Sequence, residues 1–190
     1  MTLEANEGNR HHVQLIISAK SSGPGRFASK LAAIPREETQ QRFTEALDSA
    51  AAEVFEMMVG TPLGPSDQAV LPRVADYTAM IGLAGDLCGV LSFRCGNDSA
   101  VQIACRMLGT DDGASAECIR DALGEICNMV AGSFKVQVSD LVEQCMLSVP
   151  TVVSGKDYQL YPLADGLRVQ ISKSLEGALI WMTLDLHMSS

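Results

Sequence analysis

The strongest constraint on the fold is a pattern that occurs twice along the chain: helical apolar spacing, then a series of short strand-like segments. The first cycle begins near Glu38, where Phe43, Ala46, Leu47, Ala50, Val54, Met57 and Met58 recur at three and four with acids between them. Gly60-Thr-Pro-Leu-Gly-Pro65 ends that helix. Strand character follows over Ala69–Val74, Tyr77–Ala84 and Leu87–Cys95, and a tight Gly85-Asp86 turn predicts a hairpin between the last two. Asn97-Asp98-Ser99 predicts the cap of a short helix over Ala100–Leu108 that stops at Gly109. The second cycle opens at Asp111-Asp-Gly-Ala-Ser115. A long helix is expected over about 116–144, then strands near 146–153, 157–163, 167–174 and 178–187, with turns at Asp165-Gly166 and Glu176-Gly177.

This order predicts the α+β class: two related helix–strand halves sharing a largely antiparallel sheet, with long helices packed on it. With 190 residues, 47% hydrophobic and 19% charged, the chain has enough apolar surface for a folded core. Residues 1–37 read as an N-terminal extension of low order, and 38–190 as the folded domain. The extension holds His11, His12, the short apolar run Val13-Gln-Leu-Ile-Ile17, the flexible Ser21-Ser-Gly-Pro-Gly25 and Pro35. An adjacent histidine pair in such a segment reads as solvated.

No apolar run approaches the roughly 18–20 residues needed to span a bilayer, and the first residues lack a basic start and apolar centre. The expected location is the cytoplasm, without membrane insertion. The net charge of −9 disfavours a nucleic-acid partner. Residues 38–190 carry nine basic and twenty acidic residues, so the domain should prefer partners with a basic face. Cysteines 88, 95, 105, 118, 127 and 145 form no close pairs and read as reduced core thiols. No metal site is expected: His187 and the scattered acids lack ligand spacing, and His187 reads as a surface or edge residue.

The long second helix carries the most chemistry. Ile119, Ala122, Leu123, Ile126, Val130, Ser133, Phe134 and Leu141 share one side, while Asp121, Glu125, Asn128, Gly132, Lys135 and Ser139 form a polar stripe on the other. An exposed stripe is ordinarily just a solvated face. Here, however, Asn128 is a poor mid-helix residue, and Gly124 and Gly132 each cost about 0.5–1 kcal/mol relative to alanine. Glycines beside a carboxylate and an amide leave room for a close partner. For Gly124, an alternative is that it admits a crossing helix.

Asp121-Ala-Leu-Gly-Glu125-Ile-Cys-Asn128-Met-Val-Ala-Gly132, followed by Pro150-Thr-Val-Val-Ser-Gly155, resembles the CheC/CheX/FliY chemotaxis phosphatases, and the CheX branch most closely. The likeness is strongest over 119–155 and extends across about 38–190. It implies hydrolysis of the phosphoaspartate of a CheY-type receiver, with Glu125 and Asn128 as the catalytic residues. Glu125 would contact the receiver's active-site lysine, and Asn128 would hold a water in line with the phosphorus. Asp121, Gly124, Gly132 and Lys135 would form the partner surface. The resemblance implies no cofactor of the chain's own, Mg2+ being held by the receiver. It also implies a homodimer and leaves open a CheD-like protein as a further partner. The first helix offers Glu53, Phe55 and Glu56 without an asparagine on a comparable stripe, so one site per chain is expected. The rival readings are a receiver-binding adaptor without catalysis and an interaction protein of the flagellar switch. An adaptor need not keep the amide, and 190 residues leave no room for an added switch domain.

Overall fold

The computed structural model describes residues 33–66, 75–111, 113–155, 158 and 166–187. Along the chain run α1 (Arg36–Met58), β1 (Gly64–Pro65), β2 (Tyr77–Gly85), β3 (Cys88–Cys95), α2 (Asn97–Leu108), α3 (Ala116–Gln137), β4 (Cys145–Leu147), β5 (Thr151–Ser154), β6 (Leu167–Leu175) and β7 (Ala178–His187). The expected strands at Ala69–Val74 and 157–163, His11, His12 and Asp165 lie outside the described residues, Tyr158 excepted.

All strand pairs are antiparallel, in the order β1-β6-β7-β3-β2, with β4 and β5 both on the outer edge of β2. The two halves interlock. The first half's short β1 pairs with β6 of the second, and the second half's β4 and β5 pair with β2 of the first. The helices cross over in the same way, α1 packing on β6 and α3 on β2. Their buried positions repeat at one constant offset: Phe43, Leu47, Ala50, Val54 and Phe55 of α1 correspond to Ile119, Leu123, Ile126, Val130 and Ala131 of α3. This is the α+β architecture expected from the two cycles.

Alternation in the strands sends Ala79, Ile81 and Leu83 of β2, Leu91 and Phe93 of β3, and Met182 and Leu184 of β7 into one core with the helices. The Phe43 and Phe134 rings meet edge to face at 5.7 Å, joining α1 to α3. Phe55 and Phe93 do the same at 6.0 Å between α1 and the sheet. Each such side chain stabilises the fold by about 1.5–3 kcal/mol on burial. Between β6 and β7, Glu176 and Gly177 both take positive φ (50° and 90°), the two-residue hairpin turn the sequence predicted.

Several boundaries differ from the sequence expectation. α1 starts at Arg36, within the stretch expected to be an unordered extension, and Arg36 Nη2 donates to the carbonyl of Gly166 at 2.6 Å. α2 starts at Asn97 rather than Ala100. Its exposed first N–H is taken by Asp76 Oδ2 at 2.9 Å, so a residue distant in sequence supplies the cap expected from Asn97-Asp98-Ser99. α2 does end at Gly109, in the left-handed conformation, with Thr110 N donating to Cys105 O.

α3 ends at Gln137, not near 144. Turns over Val138–Leu141 follow, and the Asp86 carboxylate accepts from the backbone N–H of Glu143 (3.1 Å) and Gln144 (2.8 Å), drawing the chain back to the β2–β3 turn. Ser139 and Leu141 are therefore off the helix. The six cysteines are free, but only Cys95, Cys127 and Cys145 are buried. Cys88, Cys105 and Cys118 are half-buried, at the margin of the core rather than in it.

Candidate functional site

Ser115 caps α3, its Oγ accepting from Cys118 N at 3.2 Å, and this fixes the phase of the helix. Ile119, Leu123, Ile126, Val130 and Phe134 then face the core, which leaves Asp121 and Glu125 exposed and Asn128, Gly132 and Lys135 half-exposed. Three residues apart on one face, Glu125 and Asn128 have Cβ atoms about 5–6 Å from each other. Among the described residues neither side chain forms a hydrogen bond or ion pair, nor do those of Asp121 and Lys135, so the polar groups of the stripe are uncommitted. Between the pair, burial pushes the Cys127 thiol up to about 12, against a smaller opposing hydrogen bond at the Phe93 backbone. It is packing, not a nucleophile.

The two glycines differ. A Cβ at Gly132 would meet no atom within 4 Å, so this position is open as expected. Gly124 is buried, and a Cβ there would stand 3.6 Å from both Pro150 Cγ and Val152 Cγ2. The expectation that Gly124 faces a partner is corrected. It receives the chain's own β5 entry, not a crossing helix.

That contact brings the two halves of the sequence string together. Leu83 of β2 faces Leu147, whereas Met80 faces Thr151, so two residues of β2 stand opposite three of the neighbouring chain. The single strand expected over 146–153 is thus interrupted by a bulge at Val149-Pro150. Ser148 pins it: its N donates to Gly82 O, and its Oγ accepts from Gly82 N, each at 2.9 Å. Pro150 needs no partner for an N–H it lacks, and it lies over Gly124. Nothing in the spacing singled out Ser148 or Val149. The one signal was Pro150, which within a sheet is confined to an edge strand or a bulge, and this segment is both.

α1 shows what a helix without the site looks like. At the offset that superposes its buried positions on those of α3, Glu125 and Asn128 correspond to Ser49 and Ala52, both exposed. Glu53 is occupied, accepting from Ser133 Oγ at 2.8 Å, and Phe55 is fully buried. Among the described residues no three His, Cys, Asp or Glu side chains come together as a metal site, and no helix is long and apolar enough to cross a membrane.

The profile of the family described as chemotaxis phosphatase CheX matches residues 77–172, from β2 through α3 into β6. The chain belongs to the CheX family. It is similar to the CheY-P phosphatase CheX of Thermotoga maritima, with 29% identity over 111 residues, 58% of this chain and 68% of that protein. Its fold is that of a chemotaxis protein CheX from Vibrio vulnificus (TM-score 0.68, 24% identity, covering 81% of this chain and 99% of that one). It also matches the fold in a CheX–CheY–BeF3–Mg2+ complex from Borrelia burgdorferi (TM-score 0.64, 18% identity, 76% and 97% covered). The CheX profile thus spans both the Glu125/Asn128 pair and the bulge beside it.

Proposed function

We propose that this CheX-family chain hydrolyses the phosphoaspartate of a CheY-type receiver, with Glu125 docking the receiver and Asn128 orienting the attacking water. The observation that carries this reading is the uncommitted carboxylate and amide on the exposed face of α3. The Thermotoga relative, named a CheY-P phosphatase, and the Borrelia complex of CheX with CheY support it.

An acyl phosphate is already activated, so little covalent chemistry is left to the protein. Water attacks the phosphorus, the bond to the aspartyl oxygen breaks, and the carboxylate leaves as the proton of the water passes to the phosphate. Mg2+, as in the Borrelia complex, would sit in the receiver and neutralise phosphoryl charge. What remains is positioning. The carbonyl oxygen of Asn128 accepts a hydrogen from the water and aims it in line, without the repulsion a carboxylate would exert on phosphoryl oxygens. Glu125, one turn away, meets a cation on the receiver. Asp121 extends the acidic contact, and the open Gly132 lets the partner approach the helix backbone. Lys135, further along the stripe, completes the partner surface.

The test is phosphate release from a phosphorylated CheY-type receiver, with wild type, Asn128→Ala and Glu125→Ala measured side by side. Acceleration by wild type, loss of kcat with binding retained in Asn128→Ala, and weakened binding in Glu125→Ala are expected. Binding without acceleration by wild type would replace the phosphatase reading with that of an adaptor.

A further inference from the structure

Cations are scarce in the domain, nine against twenty acids over 38–190, and among the described residues most are committed. Arg42, Arg106, Arg168 and Lys173 are held in ion pairs, Arg36 donates to the Gly166 carbonyl, and Arg94 is buried. Arg120 and Lys135, both on α3, remain accessible with no hydrogen bond or ion pair among the described residues. At about 100° per residue, Arg120 is turned about 80° away from Asn128, whereas Lys135, seven residues on, is turned only about 20°. Lys135 is thus the one cation of the stripe.

At 1.5 Å per residue, the Lys135 Cα stands about 10.5 Å along the axis from that of Asn128. Helix side chains lean toward the N-terminus, which carries the lysine stem back along the stripe toward Asn128. Extended, its five bonds of about 1.5 Å reach about 6 Å. The position it must pass is Gly132, where a Cβ would meet no atom within 4 Å. The ammonium can therefore come within about one turn of the Asn128 level with no side chain in its path.

The acids of the stripe lie on the other side, since Asp121 and Glu125 precede Asn128. A phosphoryl group brought to Asn128 is repelled from that end and drawn toward Lys135, so its oxygens settle on the Gly132 side. With the water in near-attack position, about 3–3.5 Å from the phosphorus, those oxygens fall within reach of the ammonium.

We propose that Lys135 extends over the open Gly132 to donate to the phosphoryl oxygens of the bound receiver, offsetting their charge while water attacks. Gly132 then serves as the gap through which this arm passes. The inference rests on the phosphatase reading and adds a substrate contact to it. The bonds made and broken are those of the hydrolysis above.

The experiment compares wild type with Lys135→Met, which keeps the stem but not the charge, and Lys135→Arg, which restores the charge. Phosphate release from a phosphorylated CheY-type receiver gives kcat and KM. Titration gives Kd for the receiver with and without Mg2+ and beryllofluoride, which stands in for the phosphoryl group. Lys135→Met is expected to lower kcat/KM about tenfold and to raise Kd for the beryllofluoride-loaded receiver by a similar factor. Its Kd for the unmodified receiver should change less than about twofold, and Lys135→Arg should recover most of both losses. Equal weakening toward the two receiver forms would place Lys135 on the receiver's surface, away from its phosphoryl group, and overturn the proposal. Unchanged kinetics and affinity would overturn it too, and a lowered melting temperature alone would mark a lysine that only offsets the helix dipole. If wild type binds but releases no phosphate, the phosphatase reading falls, and a loss in Lys135→Met confined to the beryllofluoride form would still establish the phosphoryl contact. If wild type neither binds nor accelerates release, both fall.

Discussion

Ser133 on α3 donates its hydroxyl to the Glu53 carboxylate on α1 at 2.8 Å, and this one bond separates the roles of the two long helices. It commits Glu53 of α1 to structure, while Glu125 on α3 forms no hydrogen bond or ion pair among the described residues. Replacing Ser133 with Ala should cost about 0.5–1.5 kcal/mol, the ordinary net value of a hydrogen bond with partial exposure. Phosphate release should be unchanged. Urea denaturation and a release assay on the same preparation check both statements. A large loss of activity at unchanged stability would mean that Ser133 belongs to the site.

The two interior glycines of α3 should respond differently to alanine. At Gly132 nothing within 4 Å opposes a methyl group, so Gly132→Ala should stabilise the free protein by about 0.5–1 kcal/mol through helix propensity. The same methyl group faces the proposed docking surface and should raise KM for the receiver. At Gly124 a methyl group would make ordinary contact at 3.6 Å with Pro150 and Val152, so Gly124→Ala should fold and work nearly as wild type. A larger residue, as in Gly124→Leu, would push Pro150 and the bulge away and lower activity. Melting temperature and KM for the four proteins test this, and a KM for Gly132→Ala equal to wild type would remove Gly132 from the partner surface.

Local pattern carried the long helices, the Glu176-Gly177 hairpin and the exposure of Glu125, because these follow from periodicity and turn chemistry within a few residues. What escaped it depends on contacts distant in sequence. The cap of α2 comes from Asp76, the chain beyond α3 is held at Glu143 and Gln144 by Asp86, and the glycine that looked open at 124 is filled by Pro150. The interlocking of β1 with β6 and of β4 and β5 with β2 is likewise invisible in either half alone. For the site, the stripe itself was legible, whereas its flank required the register shift between Leu83–Leu147 and Met80–Thr151.

Asn128→Asp changes almost no volume but places a carboxylate where a neutral amide is proposed to hold the water. Next to phosphoryl oxygens in a site closed by the receiver, the added charge repels the substrate, and it should lower kcat/KM at least as much as Asn128→Ala. A loss of about 100-fold or more is expected for either variant. Because Asn128 is half-exposed and makes no hydrogen bond to the described residues, neither change should move the melting temperature appreciably. An Asn128→Asp protein with wild-type release rates would rule out water positioning by the amide.

The buried thiols give the fold an alkaline limit. Burial raises the titration of Cys95 and Cys145 as well as Cys127, the last to about 12. An unfolded chain loses these protons near pH 8.5, whereas the folded chain retains them. Below about pH 8.5 both states are protonated and the thiols have no effect on the pH dependence. Above it, the unfolded state binds fewer protons, so stability falls by up to about 1.4 kcal/mol per pH unit for each thiol, until the folded group also titrates. Urea midpoints at intervals between pH 7 and 10 should therefore be level at first and then decline. Cys127→Ala should be somewhat less stable at pH 7, through the small cavity it leaves, and should decline less steeply above pH 8.5. Parallel declines for the two proteins would show that Cys127 does not hold its proton in the fold.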